Sequence, residues 1–343
     1  MDEASVFDDA CIDHIRIYVS DLDTTVRTMS EQYGLTPCDF DLPPRTPHAE
    51  RSLCLALGEI RIVLVQPLEQ LHPGSEFLQR HGEGVADIAI EVADVCAAFS
   101  LAVLRGAVPQ QPPQQRGGVT SAAIVAVGDL NHTFVQRAAA VQRQPSAGTG
   151  LHAFDHFAVC LHAGGLVPTC AFYMMALDFS VLYEEKIVVG KQSMNSKVVQ
   201  NRSGQVTLTL IEPDLAYEAG QIDSFIEKNN GPGVQHIALL TTDIVASVKS
   251  LAEKGVEFLK SPRLYYQKLP RRLEHLKYDL EKLMELSLLA DQDHGGQLYQ
   301  IFARPSAPDC NYFFEIIERV GAKTFGSSNI KALYDSVEMS KVS

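Results

Sequence analysis

The chain repeats itself, so any fold proposed for it must be one that two copies of the same unit can build. FLQRHGEGVADIAIEVADVCAAFSLAVLRGA, from Phe77, and FIEKNNGPGVQHIALLTTDIVASVKSLAEKGV, from Phe225, run through the same features in the same order. Each predicts a short helix, a Gly-rich turn, an alternating strand and an amphipathic helix closed by Gly106 or Gly255. IDHIRIYVSDLDTTVRTMSEQYGL, from Ile12, matches FDHFAVCLHAGGLVPTCAFYMMALDF, from Phe154, and NHTFVQR at Asn131 matches NYFFEIIER at Asn311. The copies meet in AAAVQRQPSAGTG, Ala138 to Gly150, a linker composition. Residues 8–138 then form an N-terminal degenerate domain and residues 151–343 a C-terminal catalytic one. Mixed helices and strands without regular βαβ alternation predict an α+β class, not a doubly wound sheet. PQQPPQQRGG, from Pro109, reads as a low-complexity loop. SPRLYYQKLPRRLEHLKYDLEKLMELSLLADQDHGG, from Ser261, has helical spacing and no counterpart in the first copy.

Composition narrows the function classes. With 29 Lys and Arg against 42 Asp and Glu, the net charge is −13, a field that repels nucleic acid and anionic membrane surfaces. MDEASVFDDACIDH is acidic and lacks the basic and apolar regions of a signal peptide, and no apolar run reaches the length of a membrane span. Seven cysteines without a CxxC pair fit reduced thiols in the cytoplasm better than a disulfide framework. The expected protein is acidic, soluble and cytoplasmic, with a degenerate first copy that offers a surface for homo-oligomer formation.

Differences between the copies expose the chemistry. The second copy carries His156, His236 and Glu315 on its repeat strands; the matching first-copy residues are His14, Asp87 and Thr133. Each His has Ala as a same-face neighbour, Ala158 or Ala238, which leaves room beside it. Any one of these histidines taken alone is more often a core or surface residue. A carboxylate on an apolar strand is harder to dismiss, because its burial is costly unless it is paired or metal-bound. Two His and one carboxylate with open positions is the facial triad of non-haem Fe(II) oxygenases. The other histidines, His48, His72, His81, His132, His152, His162, His275 and His294, fall off the pattern.

The pieces DHFAVCL, SKVVQ, TLIEP, GQIDSFI, GPGVQHIAL, LYQIF, NYFFEIIER and FGSSNIKALY, spread from Phe154 to Tyr334, resemble the 2-oxo acid dioxygenases that act on 4-hydroxyphenylpyruvate. These belong to the vicinal oxygen chelate superfamily, and the resemblance implies tandem βαβββ modules forming two open half-barrels, with the metal in the C-terminal one. It also implies Fe(II) as cofactor, held by His156, His236 and Glu315, with 4-hydroxyphenylpyruvate and O2 as substrates. Gln221, Gln235 and Gln300 match the family's cavity glutamines, Ser196 a pocket serine, and Phe302 and Phe313 aromatic walls. Asn329 begins a C-terminal helix expected to close over the site through Ile330, Leu333, Tyr334 and Val337. Gln221 and Asn329, near helix starts, suit capping or solvent exposure equally well.

The departures select a branch of the family. Where ring-hydroxylating members have Pro-Ile-Asn before Glu-Pro, this chain has Thr209, Leu210 and Ile211, and Ile330 stands where they have Phe. Thr209 and Ile211 share a strand face, so the cavity loses a polar group. This pattern resembles the branch that hydroxylates the benzylic carbon to give 4-hydroxymandelate and CO2, a supply of 4-hydroxyphenylglycine for nonribosomal peptide antibiotics. The alternative is homogentisate formation in tyrosine catabolism. An extradiol catechol dioxygenase lacks the LYQIF and closing-helix motifs. A glyoxalase-like isomerase draws ligands from both copies, which Asp87 and Thr133 disfavour. A metal-free binding module of the same fold predicts a broken triad.

Overall fold

The computed structural model describes residues 5–40, 49–138, 148–273, 275–293, 295–307, 309–324, 326, 329 and 331. The duplication is visible as two eight-stranded sheets. The first contains β1 (Cys11–Tyr18), β2 (Thr36–Pro37), β3 (Glu50–Leu57), β4 (Ile60–Pro67), β5 (Gly84–Glu91), β6 (Val108–Arg116), β7 (Val119–Val127) and β8 (Leu130–Arg137). The second contains β9 (Leu151–Cys160), β10 (Ser180–Val189), β11 (Gln192–Gln200), β12 (Thr207–Pro213), β13 (Gly233–Thr241), β14 (Leu289–Asp293), β15 (Gly296–Phe302) and β16 (Phe313–Val320). The orders β2-β3-β4-β1-β5-β8-β7-β6 and β10-β11-β12-β9-β13-β16-β15-β14 are the same path drawn twice. Each sheet curls into the half-barrel of a βαβββ pair, as the resemblance implied.

Helices pack on both faces of each sheet. In the first half these are α1 (Leu22–Thr28), α2 (Pro73–His81) and α3 (Val95–Leu104); in the second, α4 (Leu166–Leu177), α5 (Gln221–Lys228) and α6 (Ile244–Glu253). The repeat extends to the caps: Asp94 and Asp243 accept from Ala97 N at 2.9 Å and Ala246 N at 3.0 Å, satisfying orphan donors of α3 and α6. Gly106 and Gly255 follow these helices at φ of 101° and 90°, a backbone region that favours Gly. Ile15 and Ile17 of β1 enter the shared apolar core, while His14 and Arg16 face the concave side, as the pleat requires.

Two expectations from the sequence are corrected here. Residues 109–116 are not a loop but most of β6, an edge strand paired only with β7. Pro109, Pro112 and Pro113 are tolerated because an edge strand need not donate on its open side, and the register shifts around them. The stretch from Ser261 is helical only in short pieces, α7 (Arg263–Lys268), the 3-10 turn Leu269–Arg271 that continues it, and α8 (Leu280–Glu285); its end is β14, the counterpart of β6. The expected closing helix, Ile330 included, lies outside the described residues apart from Asn329 and Lys331.

One apolar core is shared by both halves. Across it Tyr33 packs on Phe314 with centroids 4.8 Å apart, and buried His132 Nε2 lies 2.9 Å from the Tyr173 hydroxyl. Asn201 Nδ2 donates to Ala10 O at 2.7 Å and to Phe7 O at 3.1 Å, tying the N-terminal segment to the second half.

A β-bulge interrupts each central pair at the same place. In β1 the partners step from Ile12↔Ile90 to His14↔Ala89, leaving Asp13 as the extra residue; in β9 they step from Phe154↔Leu239 to His156↔Ala238, leaving Asp155. A bulge re-aims a side chain that strict alternation would send to the other face. Asp13 consequently meets Arg137, across β5, at 2.7 and 2.8 Å. Burial alone would raise the Asp13 carboxyl, but hydrogen bonds from Arg137 and His14 outweigh it and hold it far below the usual carboxylate range. A lowered folded pKa contributes stability above the unfolded value, about pH 4, which is lost as pH falls through the folded value. We therefore expect Asp13→Asn to be less stable than the parent chain at neutral pH and the gap to shrink below about pH 4. Urea midpoints across that range check this; a gap independent of pH would contradict it.

Candidate metal centre

Three neighbouring strands supply the triad: His156 from β9, His236 from β13 and Glu315 from β16. All three residues are buried, and one ligand atom from each lies within 4.8 Å of the others. Glu315 Oε2 is 3.5 Å from His156 Nε2 and 3.3 Å from His236 Nε2, and the imidazoles are nearly perpendicular at 84°. Ala158 stands opposite His236, and Ala238 opposite both His156 and Glu315, so methyl groups line the space between the ligands.

The outer atoms of each candidate ligand are held. Asp155 Oδ1 accepts from His156 Nδ1 at 2.7 Å, and Arg319 clamps the same carboxylate at 2.7 and 2.8 Å. Burial opposes the Asp155 charge, but Arg319 and His156 outweigh it and keep the carboxyl well below its ordinary range. A second bulge, at Gln235, lets that residue and its neighbour reach one side, with Gln235 Oε1 at 3.2 Å from His236 Nδ1. Acceptors at both Nδ1 atoms place the protons there and leave the Nε2 lone pairs for a metal. Burial, resisted by Glu315, lowers the His236 pKa, which favours the neutral ring that ligation needs. Gln300 Nε2 donates to Glu315 Oε1 at 3.0 Å, leaving Oε2 as the inward oxygen. Asn329 Nδ2 donates to Gln300 Oε1 at 3.0 Å, and the Tyr265 hydroxyl donates to Asn329 Oδ1 at 2.8 Å. The chain of contacts thus runs from the carboxylate to the start of the C-terminal segment.

The wall beyond the triad is mostly apolar. His236 stacks on Phe313 at 5.3 Å and meets Phe302 edge-on at 5.9 Å. Thr209 and Ile211 pair with Ala158 and Cys160, and Ser196 pairs with Ile211. Ile211 packs with Cys160, Met194 and Ile222, and Gln221 opens α5 next to Ile222. The buried Thr209 hydroxyl has no hydrogen-bond partner among the described residues, a donor and acceptor open to a ligand. The sequence did not single out Asp155, Arg319, Tyr265, Cys160 or Met194. Asp and Arg recur at matching repeat positions, Asp13 with Arg137 and Asp155 with Arg319, a signal that was there to use; Tyr265 carried none.

The first half shows the same frame without the ligands. Asp87 pairs with Asn131 as His236 pairs with Phe313, which supports aligning Thr133 with Glu315. Thr133 Oγ1 donates to Asp87, Thr133 N adds a bond at 3.0 Å, and Arg16 stands where Ala158 leaves space. The carboxylate is engaged by the chain's own donors.

Comparison with known proteins agrees with this geometry. The glyoxalase/bleomycin resistance protein/dioxygenase superfamily matches twice, over residues 13–123 and 153–269. Relatives include the 4-hydroxyphenylpyruvate dioxygenases of Neurospora crassa, 33% identical over 79% of this chain and 72% of the relative, and of Dictyostelium discoideum, 34% identical over 77% and 79%. A solved triple mutant of 4-hydroxymandelate synthase from Streptomyces coelicolor is 38% identical, with a TM-score of 0.88 over 97% of this chain and 99% of that one. Fold and site together define a tandem-module protein of the dioxygenase superfamily. Within it, the chain belongs to the 4-hydroxyphenylpyruvate dioxygenase family.

Arg319→Leu should leave Asp155 buried and uncompensated, costing about 3–5 kcal/mol and weakening metal binding by about 10–100-fold. Adding Asp155→Asn should recover much of the stability but not the affinity. Urea denaturation and competition with a chelating dye separate the two; unchanged affinity in both variants would show that the pair only braces the sheet.

Proposed function

We propose that this protein is an Fe(II)-dependent dioxygenase converting 4-hydroxyphenylpyruvate and O2 to 4-hydroxymandelate and CO2. The observation that carries it is the buried His156–His236–Glu315 triad facing a wall in which Ile211 replaces the family's polar residue. One oxygen atom enters the carboxylate formed from the keto carbon, the other the new benzylic hydroxyl, and the original carboxyl leaves as CO2. Fe(II), when bound, supplies the redox chemistry with O2 and the Lewis acidity that draws in the 2-oxo acid.

The residues fit that metal: two imidazoles and one carboxyl group leave positions open for substrate and O2. Asp155, Gln235 and Gln300 hold the ligands in orientation. Phe302 and Phe313 fix the His236 ring and present aromatic faces to the cavity. Thr209, Ser196 and Gln221 are the polar groups assigned to the substrate, with the Thr209 hydroxyl the clearest open partner. Cys160, Met194 and Ile211 give the ring an apolar seat, so shape rather than a hydrogen bond sets which carbon is oxidised. Burial of the triad keeps water away from the oxidation. A role in supplying 4-hydroxyphenylglycine for peptide antibiotics belongs to the same proposal, as does a cytoplasmic location.

The test is incubation with Fe(II), O2 and 4-hydroxyphenylpyruvate, followed by proton NMR, because 4-hydroxymandelate and homogentisate are isomers. A para-substituted ring with one benzylic CH is expected; a trisubstituted ring with a CH2 would overturn the benzylic assignment in favour of the homogentisate-forming reading. Position 211 tests the cause. About 1.4 kcal/mol between competing barriers shifts a product ratio tenfold, so Ile211→Asn should yield a measurable fraction of ring-hydroxylated product at a lower rate. An iron-loaded variant making only 4-hydroxymandelate would remove Ile211 from that role.

A further inference from the structure

Cys38 and Cys54 face each other at the outer edge of the first sheet. β2 and β3 pair at Thr36↔Ala56 and Pro37↔Leu55, and that register continues to Cys38 opposite Cys54. Cys38 N donates to Cys54 O at 3.0 Å, which makes this a hydrogen-bonded antiparallel pair. Directly opposed residues project to the same face, and both thiols pack into one cluster with Tyr18, Val63, Val65 and Ala86, beside Phe40. Hydrogen-bonded antiparallel partners have Cα atoms about 5.5 Å apart, inside the span of a disulfide. Both cysteines are free, Cys54 buried and Cys38 half-exposed.

We propose that Cys38 and Cys54 form a reversible cross-strand disulfide, making this edge of the first half a thiol-oxidation site for small peroxides. The Cys38 thiolate attacks one peroxide oxygen, the O–O bond breaks, and hydroxide leaves, giving a sulfenic acid at Cys38. The Cys54 sulfur then displaces the sulfenic oxygen as water, forming the S–S bond. In sum, two thiols and one hydrogen peroxide give one disulfide and two waters. The surroundings assign the roles. The neighbouring Cys54 thiol lowers the Cys38 thiol and Arg61 adds to this against burial, while the Cys38 sulfur and burial push Cys54 up, its own Sγ lying 3.8 Å from Leu55 O. The accessible sulfur is thus the nucleophile and the buried one the resolving thiol. Cys11 is set apart, raised to about 11 by burial and by Glu91. Cys96, exposed on α3, serves as an internal reference.

The test treats the reduced full-length protein with graded hydrogen peroxide, blocks remaining thiols with N-ethylmaleimide and digests it with trypsin without reductant. Cys38 falls in the peptide Thr28–Arg45 and Cys54 in Ser52–Arg61, so the linked pair is read directly by mass. The expected result is that the linked species becomes the main form of both peptides before Cys96 is consumed, and that dithiothreitol reverses it. In Cys54→Ser, Cys38 should instead progress to sulfinic acid, and in Cys38→Ser, Cys54 should stay reduced. Sulfinic acid at Cys38 with free Cys54 in the unsubstituted chain would overturn the proposal, as would a link seen only after unfolding in urea.

Discussion

A buried aspartate clamped by an arginine two strands away holds each half of this protein in shape. Asp13 reaches Arg137 across β5, and Asp155 reaches Arg319 across β13, each with two hydrogen bonds of 2.7–2.8 Å. Both aspartates are the extra residue of a bulge, so each turns inward although its neighbouring His does too. The clamp joins strands that are not adjacent, as a curled sheet allows. In the second half it also fixes the imidazole of His156, so the bond that braces the sheet orients a candidate ligand.

The halves diverge on that common frame. Removing the bulk at Ala158, where the first half has Arg16, and placing His236 and Glu315 where it has Asp87 and Thr133, converts a self-satisfied polar cluster into an open ligand set. A carboxylate whose oxygens are already taken by chain donors has little to offer a metal. Glu315 keeps one oxygen inward because Gln300 takes the other. Gln300 in turn depends on Asn329 and Tyr265, so the start of the C-terminal segment is hydrogen-bonded to the residue that holds Glu315.

Hydrophobic period and repetition make the two copies, their closing glycines and the three converging side chains legible in the sequence, because burial forces those patterns onto the residues themselves. Bulges leave no such mark. Strict alternation puts Asp155 and Gln235 on the face away from their histidines, and only the shifted register brings them in. Pro109, Pro112 and Pro113 suggest a loop, yet proline's missing donor matters only inside a sheet, and β6 lies at its edge. Tyr265 sits in an insertion within the second copy, where the first offers nothing to compare. Position 330 lies outside the described residues, so the departures seen in the structure are those at Thr209, Leu210 and Ile211.

We infer that one metal ion is held, and that only the second half holds it. Anaerobic Fe(II) titration of the intact chain, read by bound metal after gel filtration, tests it without reference to turnover. One Fe(II) per chain is expected, unchanged in Asp87→Ala and His14→Ala and absent in Glu315→Ala. Two ions per chain, or equal losses from substitutions in either half, would contradict it.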